Sequence, residues 1–371
     1  MSDCVYVPRS EFAAHADAFA TLHAGAATTG YVGNVDARVE IIEFGGLSFP
    51  VTVNEPGRDN AWVCSPLTTY SRYALEETRR VVPGALAWPL AALIGTAERW
   101  LRGAGLDRAV SINNWLLSTN LYPPTSGIDF VTLRDALKAR WPDHGIWFRS
   151  LNAVQHADWL RALASAGFEL IPTRQVYLFR DVARSARAHQ NLRRDFELLR
   201  STPLQRVDGH TFTADDFADA AALYGQLYLE KYSRLNPRYT AAFLRKWHGA
   251  GLLELTGFRD ESGRLRAVIG VFAQGPLVTA PIVGYDTAWP RSAGLYRLLM
   301  AHVLALTRDR AGTLNLSAGA AHFKRLRGGE PAIEYSAVLY DHLPARARRT
   351  LGLLRVLTTK VGVPVMERFK L

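Results

Sequence analysis

Between residues 204 and 340 the hydrophobic period changes in an order that constrains the fold more than any single residue does. A short alternating segment at Leu204 to Val207 is followed by Thr213, Asp215 and Asp216. A hydroxyl and two carboxylates there suit the orphan N–H groups of a helix's first turn. Helical period then runs from Phe217 to Tyr232 and again from Thr240 to His248. Three strand patterns come next: Leu252 to Arg259; Leu265 to Ala273, after a turn at Glu261-Ser262-Gly263; and Val278 to Tyr285, after Gly275-Pro276. A long helix is expected over Ala293 to Arg308, with Leu295, Leu298, Leu299, His302, Val303 and Leu306 on one side and Gly312 past its end. A strand at Thr313 to Ser317, a short helix near Phe323 and a strand at Ile333 to Tyr340 complete the series.

The first half also alternates strand and helix, without a catalytic motif. Val39 to Glu43 and Phe49 to Val53 flank Gly45-Gly46 as a hairpin. Helical patterns follow at Tyr70 to Arg80 and Leu90 to Leu101, then a strand near Val110 to Leu117. A helix Leu133 to Trp141, a strand Ile146 to Leu151, a helix Ala157 to Ala166 and a strand Phe168 to Phe179 come after it. The charged segment Asp181 to Arg200 has Leu192, Phe196 and Leu199 on one face and reads as a connecting helix. At 371 residues the chain suits two cores. The expected division is a first domain over 1–183, a second over 184–345 and a basic helical tail over 346–371.

Composition narrows the class of function. Apolar residues make up 48% of the chain, with 9 Trp, 14 Tyr and 16 Phe, enough to offset the entropy of ordering two cores. Cys4 and Cys64 are the only cysteines, which excludes a disulfide framework; with no His/Cys run at metal spacing, no metal is expected. The greasy run Val82 to Thr96 contains prolines and is too short to span a bilayer, so a cytoplasmic protein without membrane insertion is expected. A net charge of +10 attracts anions: a cofactor's phosphates, a carrier-protein face, tRNA or anionic lipid, with no DNA expected. The tail, Arg346 to Lys370, mixes basic and apolar residues at helical spacing; packing against the second domain is favoured over a membrane face or an acidic carrier. GxGxxG, GxxxxGK[ST], GxSxG and HExxH are all missing, which disfavours nicotinamide oxidoreductases, P-loop kinases, α/β-hydrolases and zincins.

The element order after residue 204 resembles that of the GNAT N-acyltransferases. Arg291-Ser292-Ala293-Gly294-Leu295-Tyr296 resembles their pyrophosphate loop, which reads Gln/Arg, two residues, Gly, one residue, Gly/Ala. Such a loop aims unpaired N–H groups and a positive dipole end at an anion. Tyr296 stands where the family has a small residue. That bulk obstructs a CoA pyrophosphate and favours another donor, such as an acyl carrier protein or aminoacyl-tRNA; the segment also reads as an ordinary strand-to-helix turn. A second segment, Ala321-His322-Phe323-Lys324-Arg325-Leu326-Arg327-Gly328-Gly329-Glu330, followed by IEYSAVLYDHLP, is similar to the C-terminal part of Fem-type aminoacyl transferases. This resemblance covers residues 190 to 345. It implies an α/β fold of two tandem GNAT-like domains, the first degenerate, each a mixed, mainly antiparallel sheet flanked by helices. It also implies that Lys324 lies at the acyl-transfer centre and stabilises an oxyanion.

The implied chemistry is attack of an amine on a thioester or ester carbonyl, which needs a base, an oxyanion donor and positioning. In GNAT-like folds the splayed backbone beside the fourth strand supplies a donor, which points to Val283, Gly284 and Tyr285. Candidate bases are Asp286, Glu254, Glu230 and His322, and candidate acids are Tyr232 and Tyr285. No permanently bound cofactor is expected; acyl-CoA or the phosphopantetheine of an acyl carrier protein serves as co-substrate, with a small-molecule amine as acceptor. Two alternatives stay open: a Fem-like transferase using aminoacyl-tRNA, and a non-catalytic binding module.

Overall fold

Alternating side chains after Leu252 build an antiparallel meander, as their period of two requires. We describe a computed structural model covering residues 7–82 and 84–369; Cys4, Pro83 and Lys370 lie outside the described residues. In chain order the strands are β1 (Arg38–Phe44), β2 (Leu47–Asn54), β3 (Ala109–Ile112), β4 (Gly145–Asn152), β5 (Glu169–Phe179) and β6 (Gln205–Asp208). They continue as β7 (Glu254–Arg259), β8 (Leu265–Gln274), β9 (Leu277–Tyr285), β10 (Thr313–Asn315) and β11 (Glu330–Leu339). The chain forms two compact units, one of Met1–Gly33 with Tyr177–Pro331, the other of Asn34–Val176 with Ala332–Leu371.

This division differs from the expected contiguous domains at both ends, for a packing reason in each case. The helix Arg9–His23, not foreseen from the sequence, buries Phe12, Ala16 and Phe19, and Phe19 meets Trp247 edge-on at 5.7 Å within the first unit. At the other end, the helix Ala345–Leu357 buries Leu351 and Leu354 among Leu67, Leu101, Leu106 and Trp147. The tail therefore packs on residues of the first half as well as on Val338, Tyr340 and Leu343, so the expected packing against the second domain describes only part of its contacts.

In the first unit β6, β7, β8 and β9 pair antiparallel, β9 and β10 pair parallel, and β10 pairs antiparallel with the end of β5 at Leu178 and Phe179. Between β6 and β7 lie the helices Ala214–Gly225 and Ala241–Gly249, and between β9 and β10 the long helix Leu295–Asp309. This is the element order expected from the sequence after residue 204. Leu298, Leu299 and Val303 of the long helix share one core with Ile269, Val271, Val278 and Val283 of the strands. Burying each such side chain is worth roughly 1.5–3 kcal/mol. Thr213 caps the helix Ala214–Gly225 through a reciprocal capping box with Asp216.

The second unit has the same kind of sheet. Gly45 and Gly46, at φ 56° and 69°, close the β1–β2 hairpin, since a two-residue turn of this hand needs two left-handed residues. β2 and β3 pair antiparallel, β3 and β4 parallel, and β4 and β11 antiparallel. The expected strand over Val110 to Leu117 stops at Ile112. Beyond it Asn113 and Leu116 are left-handed, and buried amides serve the backbone: Asn113 Nδ2 donates to Leu121 O at 2.8 Å and Asn114 Nδ2 to Val63 O at 3.0 Å. The connecting helix is also two, Val182–Ala188 and Gln190–Ser201, broken at the extended His189.

Candidate active site at the end of strand β9

Register decides which backbone groups of β9 are available. Asp286 N–H donates to Arg266 O at 2.9 Å, and Val268 faces Gly284 two residues along, so Val268–Gly284 is the hydrogen-bonded pair. Val283 and Tyr285 therefore turn their N–H groups to the opposite edge. There β10 pairs only with Leu277 to Thr279, so the two parallel strands part before Val283 is reached. Gly284 is required by the helix behind it: a Cβ would lie 2.5 Å from Tyr224 N and 2.7 Å from Leu223 C.

The Arg291–Tyr296 segment stands at the expected strand-to-helix junction. Arg291–Ala293 form one 3-10 turn, Gly294 is left-handed at φ 62°, and the long helix starts at Leu295. Its first intrahelical bond is Leu298 N–H to Gly294 O at 2.9 Å, so the amides of Leu295, Tyr296 and Arg297 precede any helical acceptor. Arg291 and Ser292 are exposed. Tyr296 folds inward to a ring contact with Phe323 at 4.8 Å and lies 6.3 Å from Tyr285. Burial holds its phenol well above the usual range, so it stays protonated.

Lys324 is buried. Its ammonium donates to the carbonyls of Leu316, Ser317 and Ala318 at 2.7, 3.1 and 2.8 Å, and it lies 5.6 Å from the Tyr177 ring. An ammonium has three N–H bonds, and three carbonyls engage them. These bonds hold a loop in which Ser317 and Ala320 are left-handed at φ 57° and 47°.

The other expected acid–base groups are scattered. Asp286 is engaged twice, by Arg266 at 2.7 Å and by the Ala288 N–H at 3.0 Å, which makes it a turn cap within an ion pair. Glu254 is clamped by Arg310 at 2.5 and 2.6 Å. It faces Val271 on β8 whereas Tyr285 faces Ala267, roughly 13 Å away along the strand. Glu254 and Arg310 line a separate cleft of about 490 Å³ with Glu11 and His15. His322 and Glu230 are exposed. Tyr285 stands beside the open edge of β9, and Tyr232, the other expected acid, lies near it: Lys231 Nζ is 5.8 Å from the Tyr285 ring and 5.9 Å from that of Tyr232.

Lys231, Asp195, Arg297 and Arg327 escaped the sequence reading. Lys231 Nζ donates to the Tyr285 hydroxyl at 3.3 Å, from a π-helical segment Gln226–Tyr232 that also carries Tyr228 and Tyr232. Tyr224, Tyr228 and Tyr232 recur every fourth residue, a stripe visible in the sequence. Asp195, 1% exposed at its side chain, accepts from Arg297 Nε at 2.7 Å and from Arg327 Nε, tying the helix Gln190–Ser201 to the head of the long helix. Arg327 lies on the Phe323 ring at 3.4 Å. No signal in the sequence joins these partners.

No protein-family model and no curated protein sequence matches the chain. Among solved structures, FemX is similar at 10% identity over 57% of this chain and 78% of its own, with a TM-score of 0.44. L-PGS from Bacillus licheniformis is similar at 10% identity over 60% and 75%, with a TM-score of 0.44. A tandem GNAT protein from the clavulanic acid biosynthesis pathway is similar at 12% identity over 64% and 76%, with a TM-score of 0.37. Likenesses of this size carry nothing about activity. No helix among the described residues is long and apolar enough to cross a membrane.

Proposed function

We propose that the chain is an acyltransferase that moves an acyl group from a thioester donor to an amine at the open edge of β9. The observation that carries this reading is the parting of β9 from β10: the N–H groups of Val283 and Tyr285 point to an edge along which β10 pairs only with Leu277 to Thr279. A carbonyl oxygen set against those amides meets donors that need no reorganisation as charge develops on it. The amine nitrogen adds to the carbonyl carbon and gives up a proton; the C–S bond then breaks, and the thiolate takes a proton. Tyr285 suits the last step, because its oxygen accepts from the Lys231 ammonium and its own O–H is left to donate. The head of the long helix, at Leu295 to Arg297, faces the donor's phosphate.

Tyr296 favours a donor other than CoA. It is packed on Phe323 at the place where a pyrophosphate needs room, so the phosphopantetheine arm of a carrier protein, with one phosphate, fits better. The net charge of +10 suits an acidic carrier and equally suits tRNA. The test is to incubate purified protein with amine mixtures and labelled acyl-CoA, acyl carrier protein or aminoacyl-tRNA, with and without ribonuclease. Label appearing in an amide from carrier-bound acyl groups, unaffected by ribonuclease, is the expected result. Transfer from aminoacyl-tRNA alone, abolished by ribonuclease, replaces the thioester reading with the Fem-like one, and no transfer from any donor overturns both.

A further inference from the structure

At the far edge of the first unit's sheet, three strands from β9, lies a cluster that acyl transfer does not use. Asp208, His210 and His248 bring a carboxylate oxygen and two imidazole nitrogens within 4.8 Å of one another. His248 belongs to the helix Ala241–Gly249 and is 8% exposed. Its Nδ1 lies 2.8 Å from Leu253 O; a carbonyl only accepts, so Nδ1 carries the proton and Nε2 presents a lone pair. That buried Nε2 has no hydrogen-bond partner. A carbonyl-anchored imidazole with its other nitrogen bare is the arrangement that metal-ligating histidines show.

The rest of the cluster lies against that ring. The His210 ring lies 4.5 Å from the His248 ring between centroids. Asp208 Oδ1 accepts the His210 N–H at 2.9 Å and so holds the turn Gly209–Thr211 that carries His210. Gly209 permits the close approach, since a Cβ there would lie 2.7 Å from Leu255 Cβ and 2.9 Å from His248 Cε1. Two imidazole nitrogens with one carboxylate suit Zn²⁺ and neighbouring transition ions, whereas Mg²⁺ and Ca²⁺ take oxygen ligands throughout. Asp208 and His210 are exposed, so an ion enters from solvent and water completes its coordination.

We propose that Asp208, His210 and His248 form a divalent transition-metal site, filled by Zn²⁺ or an ion of like preference, that staples the edge strand β6 to the helix Ala241–Gly249. The two histidines are far apart in the chain, so no compact motif announces them. The proposal stands apart from acyl transfer and is tested without any activity assay. Full-length protein free of any histidine tag is stripped with a chelator, dialysed against Zn²⁺ and assayed for bound metal. Co²⁺ is titrated in parallel and followed by its visible absorption, and thermal unfolding is recorded with and without Zn²⁺. One equivalent per chain, a Co²⁺ band and a raised unfolding midpoint are expected. All three should weaken by at least about 10-fold in apparent affinity in His210→Ala and Asp208→Asn, exposed positions whose change leaves the core intact. His248→Gln should behave alike. No metal bound to the unaltered chain, or equal binding by His210→Ala and the unaltered chain, overturns the site.

Discussion

At Gly284 a single hydrogen atom keeps a helix against a strand. Adding a methyl 2.5 Å from Tyr224 N forces the helix off β9, so Gly284→Ala should lower stability by on the order of 1–3 kcal/mol, read from urea denaturation. Asp195 is subject to a larger effect. Asp195→Asn leaves Arg327, 6% exposed, without its counter-charge, and a loss of about 3–5 kcal/mol is expected by the same measurement. Lys324 separates two roles. A donor to the oxyanion would cost about 10²–10³-fold in turnover when removed. As a clamp on the carbonyls of Leu316, Ser317 and Ala318, its loss in Lys324→Met should lower the unfolding midpoint and leave turnover per folded molecule within about 10-fold. At this scale the sequence was a partial guide. Gly294 and Tyr285 stand where spacing put them, because each belongs to a junction fixed by local pattern. Asp195 was invisible because its partners lie 102 and 132 residues away. For Lys324 a family resemblance gives a position and not the direction of an ammonium, and the carbonyls it meets come from a loop whose path the sequence does not declare.

At the scale of elements, most of the second half was legible because its helices and strands declare themselves locally. Thr213 and Asp216 marked a helix start, and the capping box is there, with Asp216 Oδ2 accepting from Thr213 N–H at 2.7 Å. Thr213→Ala should cost about 1 kcal/mol in thermal or urea unfolding. The elements that differed are those where tertiary groups replace ladder partners or extra residues widen a helix. The strand beginning at Ala109 ends early because Asn113 and Asn114 serve the backbone instead. The helix expected over Phe217 to Tyr232 becomes π-helical from Gln226, which alters the pitch where Lys231 and Tyr232 emerge. A π segment beside a candidate site fits the tendency of such segments to occur where function needs an odd geometry.

For the whole molecule, acidity strains the native state through buried histidines. Burial lowers His23 and His302 from the ordinary 6.5 to about 4 and His156 to about 3. Each folded imidazole refuses a proton that the unfolded chain accepts, so its contribution is intact above pH 6.5 and is lost as the pH falls towards the folded value. Each costs up to about 1.4 kcal/mol per pH unit across that window, so denaturant midpoints should fall steeply between pH 6.5 and 4. His302→Leu should flatten that slope by about one proton. Two cores were foreseen from length and pattern, but the assignment of the first 33 residues and the tail depends on packing that a linear reading does not contain. The placement of chemistry at β9 is best tested by amide NMR of deuterated protein during titration with a phosphopantetheine thioester. Shifts centred on Val283, Tyr285 and Leu295 to Arg297 are the predicted result; shifts confined to the cleft of Glu254 and Arg310, or none, would contradict it.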